Sequence, residues 1–144
     1  MQALRKLFQL SKWEAWLLLQ AAVLLPAVRL ALNFITVSRL KELGAGTLRG
    51  RRSRELPPQA TARLVRVAAQ RGLCRVKCLE QSLVLRWLLQ RQGINARIFF
   101  GARKEDEQME AHAWVEVDGV SLDEDNDAHR RFSPFEELAA SKVI

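Results

Sequence analysis

The stretch Cys78-Leu79-Glu80-Gln81-Ser82-Leu83-Val84-Leu85-Arg86-Trp87-Leu88-Leu89 decides the reading of this chain. Leu79, Leu83, Val84, Trp87 and Leu88 fall at three- and four-residue steps, the spacing of a helix with one buried face. Gly93 follows at the C′ position, where a left-handed backbone is easiest for glycine. Beyond it the period changes. Ile94 to Gly101 is a β-rich run, and Lys104 to Glu110 reads as a charged connection. Ala111 to Val117 and Val120 to Asp125 read as two strands joined by Asp118-Gly119, a strong hairpin signal. Upstream, Gln59 to Gln70 carries a helical apolar face (Ala60, Leu64, Val67, Ala68) that Gly72 ends. Helices come first and a small antiparallel sheet last. The fold class is therefore α+β, with the sheet packed against the Cys78 helix.

The N-terminal region is helical as well. Ser11-Lys12-Trp13-Glu14 has the form of a capping box, in which hydroxyl and carboxylate satisfy orphan N–H groups at a helix start. Ala15 to Val28 is uncharged over 14 residues, short of the roughly 20 that a membrane-spanning helix needs. Pro26 should divide the region into two helices, because proline removes a helical hydrogen bond and crowds the preceding turn. The pair would bury Trp16, Leu17, Leu24 and Leu25 against Leu30, Phe34 and Val37. The expectation is a packed helical region that docks a partner; a peripheral membrane contact stays open. Gly44 and Gly46 end it, and the basic run from Arg49 to Pro58 reads as a linker.

Composition bounds the function. Of 144 residues, 49% are hydrophobic and 27% charged, which fits a globular domain and excludes disorder. Two cysteines cannot form a disulfide scaffold and suit a reducing, cytoplasmic setting. The net charge of +7 is unevenly distributed. Residues 1–104 carry 20 Lys and Arg against four acids, whereas residues 105–144 carry three against 12. No zinc-finger spacing or aromatic RNA-binding pattern accompanies the cations, so nucleic acid is not the expected partner. Gly44-Ala45-Gly46 lacks the strand before it and the Lys-Ser/Thr after it that a phosphate loop requires, so no nucleotide cofactor is expected.

Cys78 begins its helix, with Lys77 and Arg75 beside it. Free N–H groups at a helix start, and neighbouring cations, stabilise a thiolate, the nucleophilic form. His112 lies on the strand 34 residues later. An imidazole beside a thiol can take its proton and later protonate a leaving amine. A third group must orient such an imidazole. With a two-residue Asp118-Gly119 turn, His112 faces Asp125 directly and Asp123 diagonally; with a three-residue turn and a bulge it faces Glu124. Cys74 and Cys78 with His112 and His129 match no common zinc spacing, so no metal site is expected.

These segments also resemble a known family. The helix from Cys78 to Leu89, the stretch Arg91 to Arg97, the strand Ala111 to Gly119 and the motif Phe132-Ser133-Pro134-Phe135 are similar to transglutaminase-like cysteine proteases. The likeness is specifically to the leader peptidases of lasso-peptide biosynthesis, the microcin-processing type. The resemblance implies a helical region at 1–48, a basic linker at 49–58, and a transglutaminase/papain-like peptidase core at 59–144. It implies Cys78 as nucleophile and His112 as base. The family's usual Asp falls on Glu124, with Asp123 and Asp125 on either side, so the acid is Glu124 or one of its neighbours. The implied activity is removal of the leader from a ribosomally made lasso-peptide precursor. The implied partners are that leader, a separate leader-recognition protein and an ATP-dependent, asparagine-synthetase-like cyclase. The alternative is a non-catalytic subunit that holds the leader or scaffolds the cyclase.

Overall fold

The computed structural model describes residues 10–45, 56–72, 75–122 and 132–135. Among the described residues four helices precede the sheet: α1 (Lys12–Ala31), α2 (Val37–Ala45), α3 (Pro58–Arg71) and α4 (Cys78–Arg91). The strands are β1 (Ala96–Glu105), β2 (Gln108–Val117), β3 (Val120–Ser121) and β4 (Ser133–Phe135). They form one antiparallel sheet in the order β3-β2-β1-β4. The α+β layout is the one that the periodicity implies.

The helix starts follow their local chemistry. Ser11 Oγ accepts from the Glu14 N–H at 3.2 Å, and the Ser11 N–H donates to Glu14 Oε2 at 2.9 Å, completing the capping box of α1. Pro58 opens α3 at a position where a missing N–H costs nothing. At the other end of α3, a Cβ on Gly72 would lie 2.8 Å from the Ala68 carbonyl oxygen, so only glycine fits there. Gly93, with φ of 76°, closes α4 as the sequence predicts.

The expected break at Pro26 does not occur. α1 runs unbroken through it to Ala31. Leu17, Ala21 and Leu25, one turn apart each, are buried in the same core as Leu64 and Val65 of α3 and Val84 and Leu88 of α4. Burying a leucine contributes about 1.5–3 kcal/mol; with Leu17, Ala21 and Leu25 before Pro26 and the partly buried Val28 and Leu32 packed on the same core after it, packing offsets the lost hydrogen bond. The predicted packing of Trp16 against Leu30 and Phe34 is absent, since all three are exposed. With its full 20 residues, α1 is also long and apolar enough to cross a membrane by length and composition, which the 14-residue uncharged run understated. Residues 46–55, which include most of the basic linker, lie outside the described residues.

The strand expected from Val120 to Asp125 is seen at Val120–Ser121, with 123–125 outside the described residues; the β1–β2 connection departs from expectation. Lys104 to Glu110 is not a charged connection but the tip of a β1–β2 hairpin. Asp106 and Glu107 turn the chain at φ of 47° and 68°, and the ladder runs out to Glu105 opposite Gln108. Arg103 lies opposite Glu110 and pairs with it at 2.6 Å, so the charges close the ladder across the strands. Asp118 and Gly119, at φ of 52° and 78°, form the expected two-residue turn and set Val117 against Val120.

The faces of β2 alternate. Val115 and Val117 join the core beneath the helices. Trp114 lies on the other face and packs with Phe99 and Phe132. β4 pairs with the far edge of β1, with Gly101 opposite Pro134; an edge strand is where proline is tolerated in a sheet.

Candidate active site

The site begins at the first residue of α4. The Lys77 N–H donates to Glu80 Oε2 at 2.7 Å, which fixes where the helix starts and so where Cys78 sits. Cys78 is half-buried, and burial alone would raise its pKa. The net shift is downward, because other effects outweigh burial. The largest is a hydrogen bond from the His112 side chain. The Ala113 N–H, the positive charge on His112 and the Leu79 N–H then add to it. Lys77 and Arg75, expected to help, are not what lowers this pKa: the work falls to the imidazole and to backbone donors.

Ala113 joins the nucleophile helix to the histidine strand. The Val115 carbonyl accepts from the Leu122 N–H at 2.9 Å, so the backbone groups of Val115 point toward the β3 edge. By the period of two, those of Ala113 point the same way. The Ala113 N–H donates to Cys78 Sγ, and its carbonyl accepts from the buried Ser82 Oγ at 3.1 Å. Cys78 and Ser82 stand one helical turn apart on the same face. Two side chains of α4 thus take both polar groups of the residue next to His112. That double contact sets the thiol against the imidazole.

The His112 ring is held on its flat sides. Phe132 stacks on it at 5.0 Å between ring centroids and 28° between planes. Trp114, two residues along the strand, stacks at 6.2 Å and 18°. Trp114 is itself fixed by its Nε1–H, which donates to Glu116 Oε1 at 2.8 Å. Register explains how Phe132 reaches across: Gly101 lies opposite His112 on β1 and opposite Pro134 on the next strand. Directly opposed residues share a face, so Gly101, diagonal to Phe132 on that face, adds no side chain beside the stack. Aromatic faces are electron-rich and favour the charged ring over the neutral one.

A cavity of about 140 Å³ opens beside the thiol and imidazole. Its walls include Ala62, Val65 and Leu85 of the helices, with Arg66 and Gln81 supplying polar atoms. A half-buried thiol of lowered pKa, a histidine in contact and a cavity next to both make an arrangement capable of nucleophilic attack on a carbonyl.

Cys78 and His112 are therefore brought into hydrogen-bonding contact. Asp123, Glu124 and Asp125 lie outside the described residues, as do Cys74 and His129. Of the two turns weighed for Asp118-Gly119, the two-residue one forms and the three-residue one does not. Sequence reasoning missed Ser82, whose hydroxyl on the buried face of an apolar helix was the available signal. It read Trp114 as a core residue and Phe132 as a motif without a role.

Comparison with known proteins agrees with this geometry at the level of family. A profile described as the transglutaminase-like superfamily matches residues 21–137, most of the chain. The chain belongs to that superfamily. No curated protein matches it, and no solved structure does.

Proposed function

We propose that this chain is a cysteine peptidase that removes the leader from a ribosomally made lasso-peptide precursor. The observation that carries the chemistry is the Cys78 thiol, its pKa lowered first by the His112 side chain, beside a cavity. Support for the substrate class comes from the likeness of the Cys78 helix, the His112 strand and the Phe132–Phe135 motif to leader peptidases.

In the proposed reaction His112 takes the thiol proton, and Cys78 Sγ attacks the scissile carbonyl carbon. The Cys78 N–H, at the helix start, is the proposed donor to the oxyanion. Collapse of the tetrahedral adduct breaks the C–N bond, and the amine leaves with the proton from His112. Water, deprotonated by His112, then hydrolyses the thioester and restores the thiol. One carboxylate among Asp123, Glu124 and Asp125 orients the imidazole. The reading assigns cytoplasmic work beside a separate leader-recognition protein and an ATP-dependent cyclase. The test is incubation of the purified chain and its recognition partner with the precursor peptide encoded nearby, followed by mass spectrometry. Leader and core fragments are expected with the wild type and none with Cys78→Ala. Equal cleavage by both proteins would sink the mechanism, and no cleavage by either would favour the scaffolding role.

A further inference from the structure

α1 is apolar over most of its circumference between its charged ends, yet only one side of it is covered. Its inner side is Leu17, Ala21 and Leu25, buried against α3 and α4. At 100° per residue, Trp16, Leu19, Val23 and Leu30 fall within roughly 60° of one another, centred about 180° from that buried side. Each of the four is more than half exposed, as are Trp13 on the flank and Phe34 just past the helix end. Lys12 is the one charged residue within that outer stripe. A helix this apolar belongs either inside a protein or in lipid.

We propose that the outer face of α1 lies in the interface of an anionic lipid bilayer, parallel to its plane. Charge complementarity selects this occupant. Residues 1–45 hold six cations (Arg5, Lys6, Lys12, Arg29, Arg39 and Lys41) against two acids, Glu14 and Glu42. Glu14 is engaged in the helix cap and lies 3.5 Å from Arg63. Basic residues flanking an apolar helical face are attracted to anionic headgroups. Tryptophan, here Trp13 and Trp16 next to Lys12, is the side chain that best suits the headgroup boundary. The helix does not span. Its inner face is built into the protein core, and Arg29 donates to the Arg75 carbonyl just before α4, so leaving the core for the bilayer would break both.

The test uses the full chain in flotation with vesicles of phosphatidylcholine alone or mixed with phosphatidylglycerol. The wild type should float with the anionic vesicles and much less with neutral ones. The double variant Leu19→Gln/Val23→Gln should lose about tenfold or more in partitioning while keeping its melting temperature, because both side chains are exposed. Brominated lipid should quench the emission of Trp13 and Trp16, and Trp13→Phe/Trp16→Phe should remove that quenching while the protein still floats. Four outcomes overturn the proposal. They are absence from the floated fraction, flotation of the double variant like the wild type, retention after carbonate extraction (a spanning helix), and a lipid-free dimer that the double variant dissolves (a second copy on the face).

Discussion

Ser82→Ala removes one oxygen atom and tests how the site is assembled. Ser82 is buried, and its hydroxyl donates to the Ala113 carbonyl, while the Ala113 N–H donates to Cys78 Sγ. A neutral hydrogen bond contributes about 0.5–1.5 kcal/mol net, and a stranded buried carbonyl costs about 1–3 kcal/mol. The variant should therefore lose about 1–3 kcal/mol of stability, read as a fall of several degrees in Tm. The second consequence concerns the thiol. If the tether holds Ala113 in place, its loss loosens a backbone donor to the thiolate, and the Cys78 pKa should rise.

The assay is the rate of alkylation by iodoacetamide as a function of pH, measured alongside thermal unfolding. Ser82→Ala should move the alkylation midpoint toward higher pH. Val84→Ala, on the same helix and fully buried, provides the control. It leaves a cavity costing a comparable amount but takes no polar group from the site, so its midpoint should stay at the wild-type value. An unchanged midpoint in Ser82→Ala, or equal shifts in both variants, would show that the contact is structural only and that Cys78 is positioned by something else.

Four further outcomes follow from the same geometry. His112→Gln should raise the Cys78 pKa toward that of an ordinary thiol, about 8.5, because the imidazole is the largest cause of its lowering; the alkylation profile reads this directly. The folded state holds the Cys78 proton less tightly than the unfolded chain, so this stabilisation is complete above the ordinary thiol pKa and is lost as pH falls through the lowered one. The stability difference between wild type and Cys78→Ala should accordingly grow in favour of the wild type from pH 7 to pH 9 in urea titrations. Gly101→Val should place a branched side chain beside the stack of Phe132 on the His112 ring and reduce precursor cleavage by at least about tenfold, the effect of a small misplacement of a reacting group; near-normal cleavage would mean that the stack does not hold the ring. Single replacement of Asp123, Glu124 and Asp125 by Ala should give one severe loss of cleavage and two mild ones, and three mild effects would assign the orientation of His112 to another group.

What could be read in advance was whatever depends on neighbours in sequence. The Asp118-Gly119 turn needs two residues tolerant of positive φ, and it formed with both at positive φ. The Ser11–Glu14 box and Gly93 are likewise decided within one turn of helix. Cys78 and His112 were legible because thiol and imidazole are rare side chains whose chemistry is specific. Tertiary packing overruled two local rules. Pro26 breaks an isolated helix, but the core holds this one on both sides of it, through Leu17, Ala21 and Leu25 before it and Val28 and Leu32 after it. Lys104 to Glu110 reads as a loop by charge, yet cross-strand pairing of Arg103 with Glu110 makes it a hairpin tip. The grip of α4 on Ala113 and the stacking of Phe132 beside Gly101 depend on which strand edges meet. No local pattern records that.

The thiolate at Cys78 is held by groups that cannot drift independently. Two of its donors, the Ala113 and Leu79 N–H groups, are backbone, carried by β2 and by the first turn of α4. Backbone donors lose no rotamer freedom when they bind, so their contribution survives where a lysine's would be diluted by side-chain entropy and solvent. This is the physical reason that Lys77 and Arg75, exposed and close in sequence, matter less than a histidine 34 residues away. The same rigidity links stability to chemistry. A change that slides α4 along the β2 edge carries Cys78 and Ser82 away from the Ala113 groups at once, so the thiol should lose its lowered pKa before the domain unfolds. Moderate urea, short of the unfolding transition, should then slow alkylation of Cys78 at neutral pH even though it makes buried thiols more accessible. An acceleration instead would show that access, rather than the state of the thiol, limits its reaction, and would remove the argument for a preassembled site.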